Sequence, residues 1–480
     1  STDTLTDGNL AFTGAGNFSS YVTAPAIPKT GKWYYEVTAI GGDAVIGTSA
    51  SYDAYLGLVS TDVAIPTGSH TSNADLWVIA NWNPTPSGQK NNNSTATYTP
   101  TSGFGDGSVI MVAIDMDNSA MYFGNDGTWA GSATASEIAA GTTTNAAFTS
   151  SNNSFGSKQM MPYQANHSDK AIYNFGATPF RHAPPTGFSA LNTVNLPAPA
   201  VKNPDDGFAL ITLEDGDTIE ASLATARAGF GSFIDVFFRE TDGQDKEIRF
   251  SDDSGNSMHF NTNAAAGSEQ TLSSGVNYSA FSWRVGATYG CYTAEISHTN
   301  GSATNQAHGL GSGAKTAVAK RSSDTGDWYV SHPNLSSANI RWNVQEATTS
   351  ELVTVDNTNI TLNSSFASGT YRVIVWEQIE GFSAFIGYPH NGSTSDGPYL
   401  HFGGSASLVA WRNIDSSNSN DFFSTFPSYT SNGDGNPTDI RYNWSNQEKG
   451  YSGITIGDVT ANGYKMRPSS GGAFGTGTDD

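Results

Sequence analysis

The sequence predicts an all-β protein built of sandwich domains in tandem. Three observations carry that expectation. Aromatic and β-branched stretches recur about every ten residues, separated by Gly, Asn, Asp or Ser turns. Helical periodicity is almost absent. The composition is 37 % hydrophobic and 11 % aromatic, with 52 glycines, enough apolar surface for cores and against global disorder. At 480 residues the chain is about three times a typical domain, so several are expected.

The clearest strands are Lys32-Trp-Tyr-Tyr-Glu-Val37, Ser108-Val-Ile-Met-Val-Ala-Ile114 and Tyr371-Arg-Val-Ile-Val-Trp376. In the first, Trp33, Tyr35 and Val37 share one face and Tyr34 and Glu36 the other, so one face can be buried. Helices are expected only over Ala133–Ala140 and Ala221–Ala228, both too short to stand without tertiary support. Prolines crowd residues 183–205, and the fixed φ and missing donor of proline predict an extended, semi-rigid spacer there.

Beyond the spacer the sequence repeats. Asn300-Gly-Ser302 returns as Asn391-Gly-Ser393, Ala317-Val-Ala-Lys-Arg-Ser-Ser-Asp324 as Leu408-Val-Ala-Trp-Arg-Asn-Ile-Asp415, and Ile340-Arg-Trp-Asn343 as Ile440-Arg-Tyr-Asn443. A fainter copy runs from Phe233-Ile-Asp-Val-Phe-Phe-Arg239 to Tyr278-Ser-Ala-Phe-Ser-Trp283. The expected domains are 1–182, the spacer 183–205, and repeats over 206–285, 286–376 and 381–480. Repeats of this length are large enough to be jelly-roll-like sandwiches. The third lacks the closing aromatic strand and the chain opens on Ser1, so both ends read as cut from a longer product.

Charge and cysteine usage exclude several function classes. Forty-four acidic against 22 basic side chains leave a net charge of −22, with no basic patch for nucleic acid. No apolar run is long enough to span a bilayer. The one cysteine, Cys291, excludes an intramolecular disulfide and any multi-cysteine zinc site.

Residues 1–182 resemble the SPRY domain, a concanavalin-like β-sandwich. The matching stretches are Gly31-Lys-Trp-Tyr-Tyr-Glu-Val37, Tyr55-Leu-Gly-Leu-Val59, Val112-Ala-Ile-Asp-Met-Asp117 with Met121-Tyr-Phe123 and Asn125-Asp-Gly127, Met161-Pro-Tyr163 and Ala171-Ile-Tyr-Asn-Phe-Gly176. The junction Asn174-Phe-Gly-Ala-Thr-Pro-Phe180, Pro184-Pro-Thr-Gly-Phe188 and Leu191-Asn-Thr-Val-Asn-Leu-Pro-Ala-Pro199 is similar to that of a group of tailed-phage virion proteins. In that group an SPRY-like domain precedes tandem β-rich domains of uncharacterised function. The resemblance implies a tail fibre, spike or capsid-decorating fibre on the virion surface, bound to other virion proteins and homotrimeric by family analogy.

Candidate chemistry is sparse. A retaining glycosidase needs two carboxyls about 5 Å apart. Asp115 with Asp117 and Glu377 with Glu380 come nearest, but the first pair sits at a hairpin and the second has the wrong spacing for one strand face. Cys291 reads as a packed thiol, and the nine histidines show no ligand spacing. Asp252-Asp253 with Asn256, or Asp434 after Asn432, could hold calcium loosely; no other cofactor is expected. Amides pair with sugar hydroxyls and aromatic rings stack on pyranose faces, which singles out Asn81, Trp82, Asn83, Asn91, Asn92 and Asn93 as the glycan-facing cluster, with Trp77 either a second platform or core. The expectation is a non-enzymatic virion structural protein contacting host glycans. The alternatives are a carbohydrate-binding bacterial adhesin and a polysaccharide depolymerase.

Overall fold

A computed structural model divides the chain into two compact units, Ser1–Pro197 and Ala198–Asp480. It describes residues 4–6, 10–13, 19–22, 26–40, 54–60, 76–82, 87–91, 95–98, 106–166, 170–196, 198–239, 246–344, 348–388, 399–412, 414, 423–426, 438–443, 449–460 and 463–467. Both units are built of antiparallel sheets, so the all-β expectation holds.

In the first unit one sheet runs Thr4–Thr6, Ala11–Thr13, Lys170–Asn174, Lys32–Ile40, Val109–Asp115, Ala120–Asn125, Thr128–Trp129, with Phe148–Thr149 and Ser189–Ala190 paired beside this path. The other runs Ser19–Val22, Met160–Asn166, Ala54–Ser60, Leu76–Trp82, Ser87–Asn91, Thr95–Tyr98. Trp33, Tyr35 and Val37 of the first sheet share a core with Leu58, Trp77 and Ile79 of the second, which makes a β-sandwich.

The strand Lys32–Ile40 is buried on both faces, not one. Its reverse face puts Tyr34 into a second cluster with Met111, Tyr122, Trp129, Ile138 and Phe188. Ile138 comes from α1 (Ala135–Ala139), where Thr134 and Glu137 form a reciprocal capping box. A single turn, α2 (Ser150–Asn153), follows.

Residues 183–196 do not form a spacer. Ser189–Ala190 pairs in parallel with Trp33 and Tyr34, Leu191 N donates to Tyr34 O at 3.0 Å, and Phe188 and Leu191 are buried. The prolines keep this stretch out of the sheet interior, but the apolar side chains between them bury against the sandwich. Glu36 anchors the stretch just before it: the buried carboxylate accepts Arg181 N and His182 N, both at 2.8 Å, and the Tyr34 hydroxyl at 2.9 Å.

In the second unit, Phe208–Asp215, Asn277–Arg284, Phe233–Arg239, Glu247–Phe250, Asn256–His259 and Gly267–Ser268 form one sheet. Cys291–His298, Gly369–Glu377, Lys315–Arg321, Trp328–Ser331, Ala338–Arg341 and Thr349–Ser350 form the next. Both are threaded alike, the closing aromatic strand lying between the first two strands of its sheet. Ile234, Val236 and Phe238 of one sheet share a core with Val318, Trp328 and Ile374 of the other. Strand alternation sends the neighbours Ala317, Ala319, Val373 and Val375 to the opposite side, against the three-stranded sheet Thr304–Ala307, Asn359–Leu362, Val353–Val355. The outer face of the first sheet is covered by α3 (Gly216–Ala226) through Ile219 and Leu223. Segments 206–285 and 286–376 are therefore layers of one body, because each sheet is covered on both faces and on one of them chiefly by the other sheet.

The last sheet runs Tyr399–His401, Gly463–Met466, Lys449–Thr460, Thr438–Asn443, Phe423–Thr425, Val409–Trp411. Its order after the first two strands is the reverse of the other repeats. Leu400, Val409, Ile456 and Tyr464 form its own small core, while Phe426 lies edge-on to Phe238 at 5.5 Å.

Candidate functional site

The expected glycan cluster is only partly placed. Asn81 and Trp82 end one strand and Asn91 ends the next, while Asn83, Asn92 and Asn93 lie outside the described residues. Trp82 is opposite Ser87 and Asn81 opposite Gly88, but Asn91 is opposite Val78. At strand spacing that sets Asn91 about 13 Å along the hairpin from the Trp82 end. Asn81 and Trp82 are gathered at one end; Asn91 is not with them. Trp77 is core, 1 % exposed and edge-on to Phe155 at 6.0 Å.

In each candidate carboxyl pair one member is buried and the other exposed. The strand ends at Asp115, whose fully buried carboxylate meets Lys32 Nζ at 3.1 Å and accepts Asn118 N and Nδ2 at 3.0 and 2.9 Å. Asp117 lies in the turn beyond and is exposed, with Oδ1 accepting Gly31 N at 2.7 Å. Buried Glu377 accepts Gly311 N and Gly313 N, both at 2.7 Å, whereas Glu380 is exposed. Lys315 Nζ donates to the carbonyls of the same two glycines at 2.7 and 2.8 Å, so this glycine-rich loop is clamped from both charges.

An open recess of about 410 Å³ lies where Asp117 meets the segment expected as a spacer. Lys32 and Trp33 at the start of their strand, Asp117 in the hairpin turn, Ala139 at the end of α1, and Thr186 and Ser189 from the proline-rich segment line it. Gly31 turns the chain into the strand with φ +88°, a conformation that strains other residues, and the Trp33 indole packs beneath it. Lys32 Nζ donates to Ala139 O at 2.9 Å as well as pairing with Asp115, which leaves one N–H. Among the described residues, Asp117 Oδ2 and the hydroxyls of Thr186 and Ser189 accept or donate no hydrogen bond. Sequence reasoning weighed Asp117 only as a partner of Asp115, set that pair aside as a hairpin turn, and did not single out Thr186 or Ser189. Their only signal was position in a Ser/Thr-rich, proline-flanked stretch.

The remaining candidates are structural. Cys291 is buried, and burial raises its thiol pKa well above the ordinary value. Both oxygens of Asp252 face Arg372 Nη1, at 3.0 and 2.9 Å, and Asp253 accepts Asn256 Nδ2 at 3.0 Å. A calcium ion there would have to displace a guanidinium; Asp434 and Asn432 lie outside the described residues. Among the described residues no trio of His, Cys, Asp or Glu converges on a metal position. On the outer face of the first repeat's sheet, Arg249 is held by Glu220 at 2.5 Å and Glu247 at 2.7 Å, and Arg227 pairs with Asp235 at 3.2 Å. Burial pushes Asp235 up to about 6 against the opposing pull of Arg227.

A family model described as a domain of unknown function, DUF7483, matches residues 238–479. The chain belongs to that family. The DUF7483 match begins inside the strand Phe233–Arg239 and takes in the second and third repeats. Among curated proteins none matches the sequence. Two solved structures are similar to part of this DUF7483 chain. The SPRY domain of human HERC1 is 16 % identical over 37 % of this chain and 96 % of its own, with a TM-score of 0.28. A human SPRY domain is 15 % identical over 36 % of this chain and 96 % of its own, with a TM-score of 0.25.

Proposed function

We propose that this chain is a non-enzymatic structural protein of a tailed-phage virion, a tail fibre, spike or capsid-decorating fibre that touches host-surface glycans. The observation that carries the non-enzymatic part is the fate of the carboxylates. Asp115 and Glu377, the buried members of the two candidate pairs, are each held by an internal cation or by backbone amides, while Asp117 and Glu380 are exposed. A buried carboxylate bonded on both oxygens to its own chain holds a shape and is shielded from a substrate in solvent. The virion part is supported by the sequence junction at 174–199 and by the tandem repeats. On this reading the chain sits on the particle surface among other virion proteins as a homotrimer. Several weak glycan contacts then add by avidity.

Two measurements test the proposal. Mass spectrometry of purified particles should find the chain in them; its absence removes the virion reading. A reducing-sugar assay on host capsule or lipopolysaccharide should show no sustained release. Release that disappears in Asp115→Asn or Glu377→Gln would make the protein a depolymerase.

A further inference from the structure

We infer that the recess between Asp117 and the 186–189 segment is a subsite for a neutral hexose presenting adjacent hydroxyls, and that it rejects acidic sugars. The inference rests on the glycan-contact reading and moves the contact away from Asn81 and Trp82. Volume permits it: about 410 Å³ falls in the range of roughly 300–1,000 Å³ usual for small-ligand sites. The polar groups are of the right kinds. Asp117 offers Oδ2 and a second lone pair on Oδ1, so it can accept two sugar hydroxyls, and Lys32 keeps one N–H to donate to a third. Thr186 and Ser189 each donate and accept, as a hydroxyl-rich ligand requires.

Charge sets the preference. The positive charge of Lys32 is matched at 3.1 Å by Asp115, so it is not free to hold a carboxylate. Asp117 pairs with no cation among the described residues, which leaves the recess with one negative charge on a chain of net −22. A uronic acid entering it would meet like charge with no counter-cation, whereas a neutral sugar forms charge-assisted hydrogen bonds to the same carboxylate.

The test uses the full chain and three immobilised probes: mannan, dextran and polygalacturonate. At least one neutral polymer should retain the protein, and polygalacturonate should not. Asp117→Ala should weaken retention by about tenfold or more, the usual range for losing a charged acceptor. The double variant Thr186→Val with Ser189→Ala, which leaves the hairpin turn intact, should weaken it by a smaller factor. Unchanged retention in both variants, or retention on polygalacturonate equal to that on the neutral polymers, overturns the recess while leaving glycan contact standing. Failure of the unmodified protein to bind any of the three overturns glycan contact itself and the recess with it.

Discussion

His332 and His401 are both held neutral by burial, which pulls each down to about 4. At His332 the ring Nδ1 accepts Asn334 N at 3.2 Å, a bond that protonation destroys. A folded pKa below the unfolded one means the unfolded chain takes up protons first. The stability these rings contribute is complete above about 6.5 and is lost as pH falls toward 4. Asp235 has the opposite sign. Its pKa, raised to about 6, makes the folded state the better proton acceptor from 3.8 to 6, so its contribution is fully present below 3.8 and lost as pH rises through 6. Urea midpoints at pH 7.5 and 5.0 check both. His332→Gln should shrink the drop on acidification, and Asp235→Asn should enlarge it. Asp235 shows how far the sequence was legible at this scale. An Asp inside an apolar strand announces a buried charge, but the Arg227 that meets it at 3.2 Å comes from the end of a helix that the Ala-rich pattern placed only roughly.

Strand alternation and turn chemistry could be read along the chain; what covers the second face of a strand could not. Glu36 on the reverse face of Lys32–Ile40 reads as a solvent-facing charge, yet it is 3 % exposed because the amides of Arg181 and His182 reach it from the far end of the unit. The same holds for the recess, whose walls are joined by the parallel pairing of Ser189–Ala190 with Trp33 and Tyr34. Proline content argued for a spacer, and the bulky Phe188 and Leu191 between the prolines decided otherwise. Close strand approach supplies a prediction at this scale. A Cβ on Gly57 would stand 2.1 Å from Trp77 O and 2.8 Å from Val78 Cα, both backbone atoms of the paired strand. Gly57→Ala should therefore destabilise the first unit by about 1–3 kcal/mol, the usual cost of overpacking. Hydrogen exchange over residues 54–60 and 76–82 should report faster opening.

The internal repeats predicted three separate sandwiches, whereas each repeat contributes one six-stranded sheet and the second adds a three-stranded one, and nothing in the repeats said which faces would meet. Repeat similarity is carried by strand sequence, and Lys315–Arg321, with Ala317 and Ala319 on one face and Val318 on the other, does not say which face turns inward. The structure uses both: Val318 faces the first repeat, and Ala317 and Ala319 face the three-stranded sheet. Segments 206–285 and 286–376 should consequently unfold together. Phe238→Ala, a core truncation worth about 3–5 kcal/mol, should lower the denaturant midpoint of both segments equally when each is followed by hydrogen exchange. Separate transitions would show that the two sheets are autonomous. Of the candidate site, Asn81 and Trp82 were legible as neighbours in sequence. Asp117 with Thr186 and Ser189 was not, because only the fold brings them to one opening.

The threading of the repeats also governs how the chain is made. Among the described residues Cys291–His298 has a single ladder neighbour, Gly369–Glu377, which leaves the ribosome about seventy residues later. At synthesis rates of roughly 5–20 residues per second, that strand waits some 4–14 s for its partner. Phe208–Asp215 waits in the same way for Asn277–Arg284. Each nascent chain thus carries an unmated apolar strand for seconds, and the yield of folded protein should depend on translation speed and on chaperones that shield such strands.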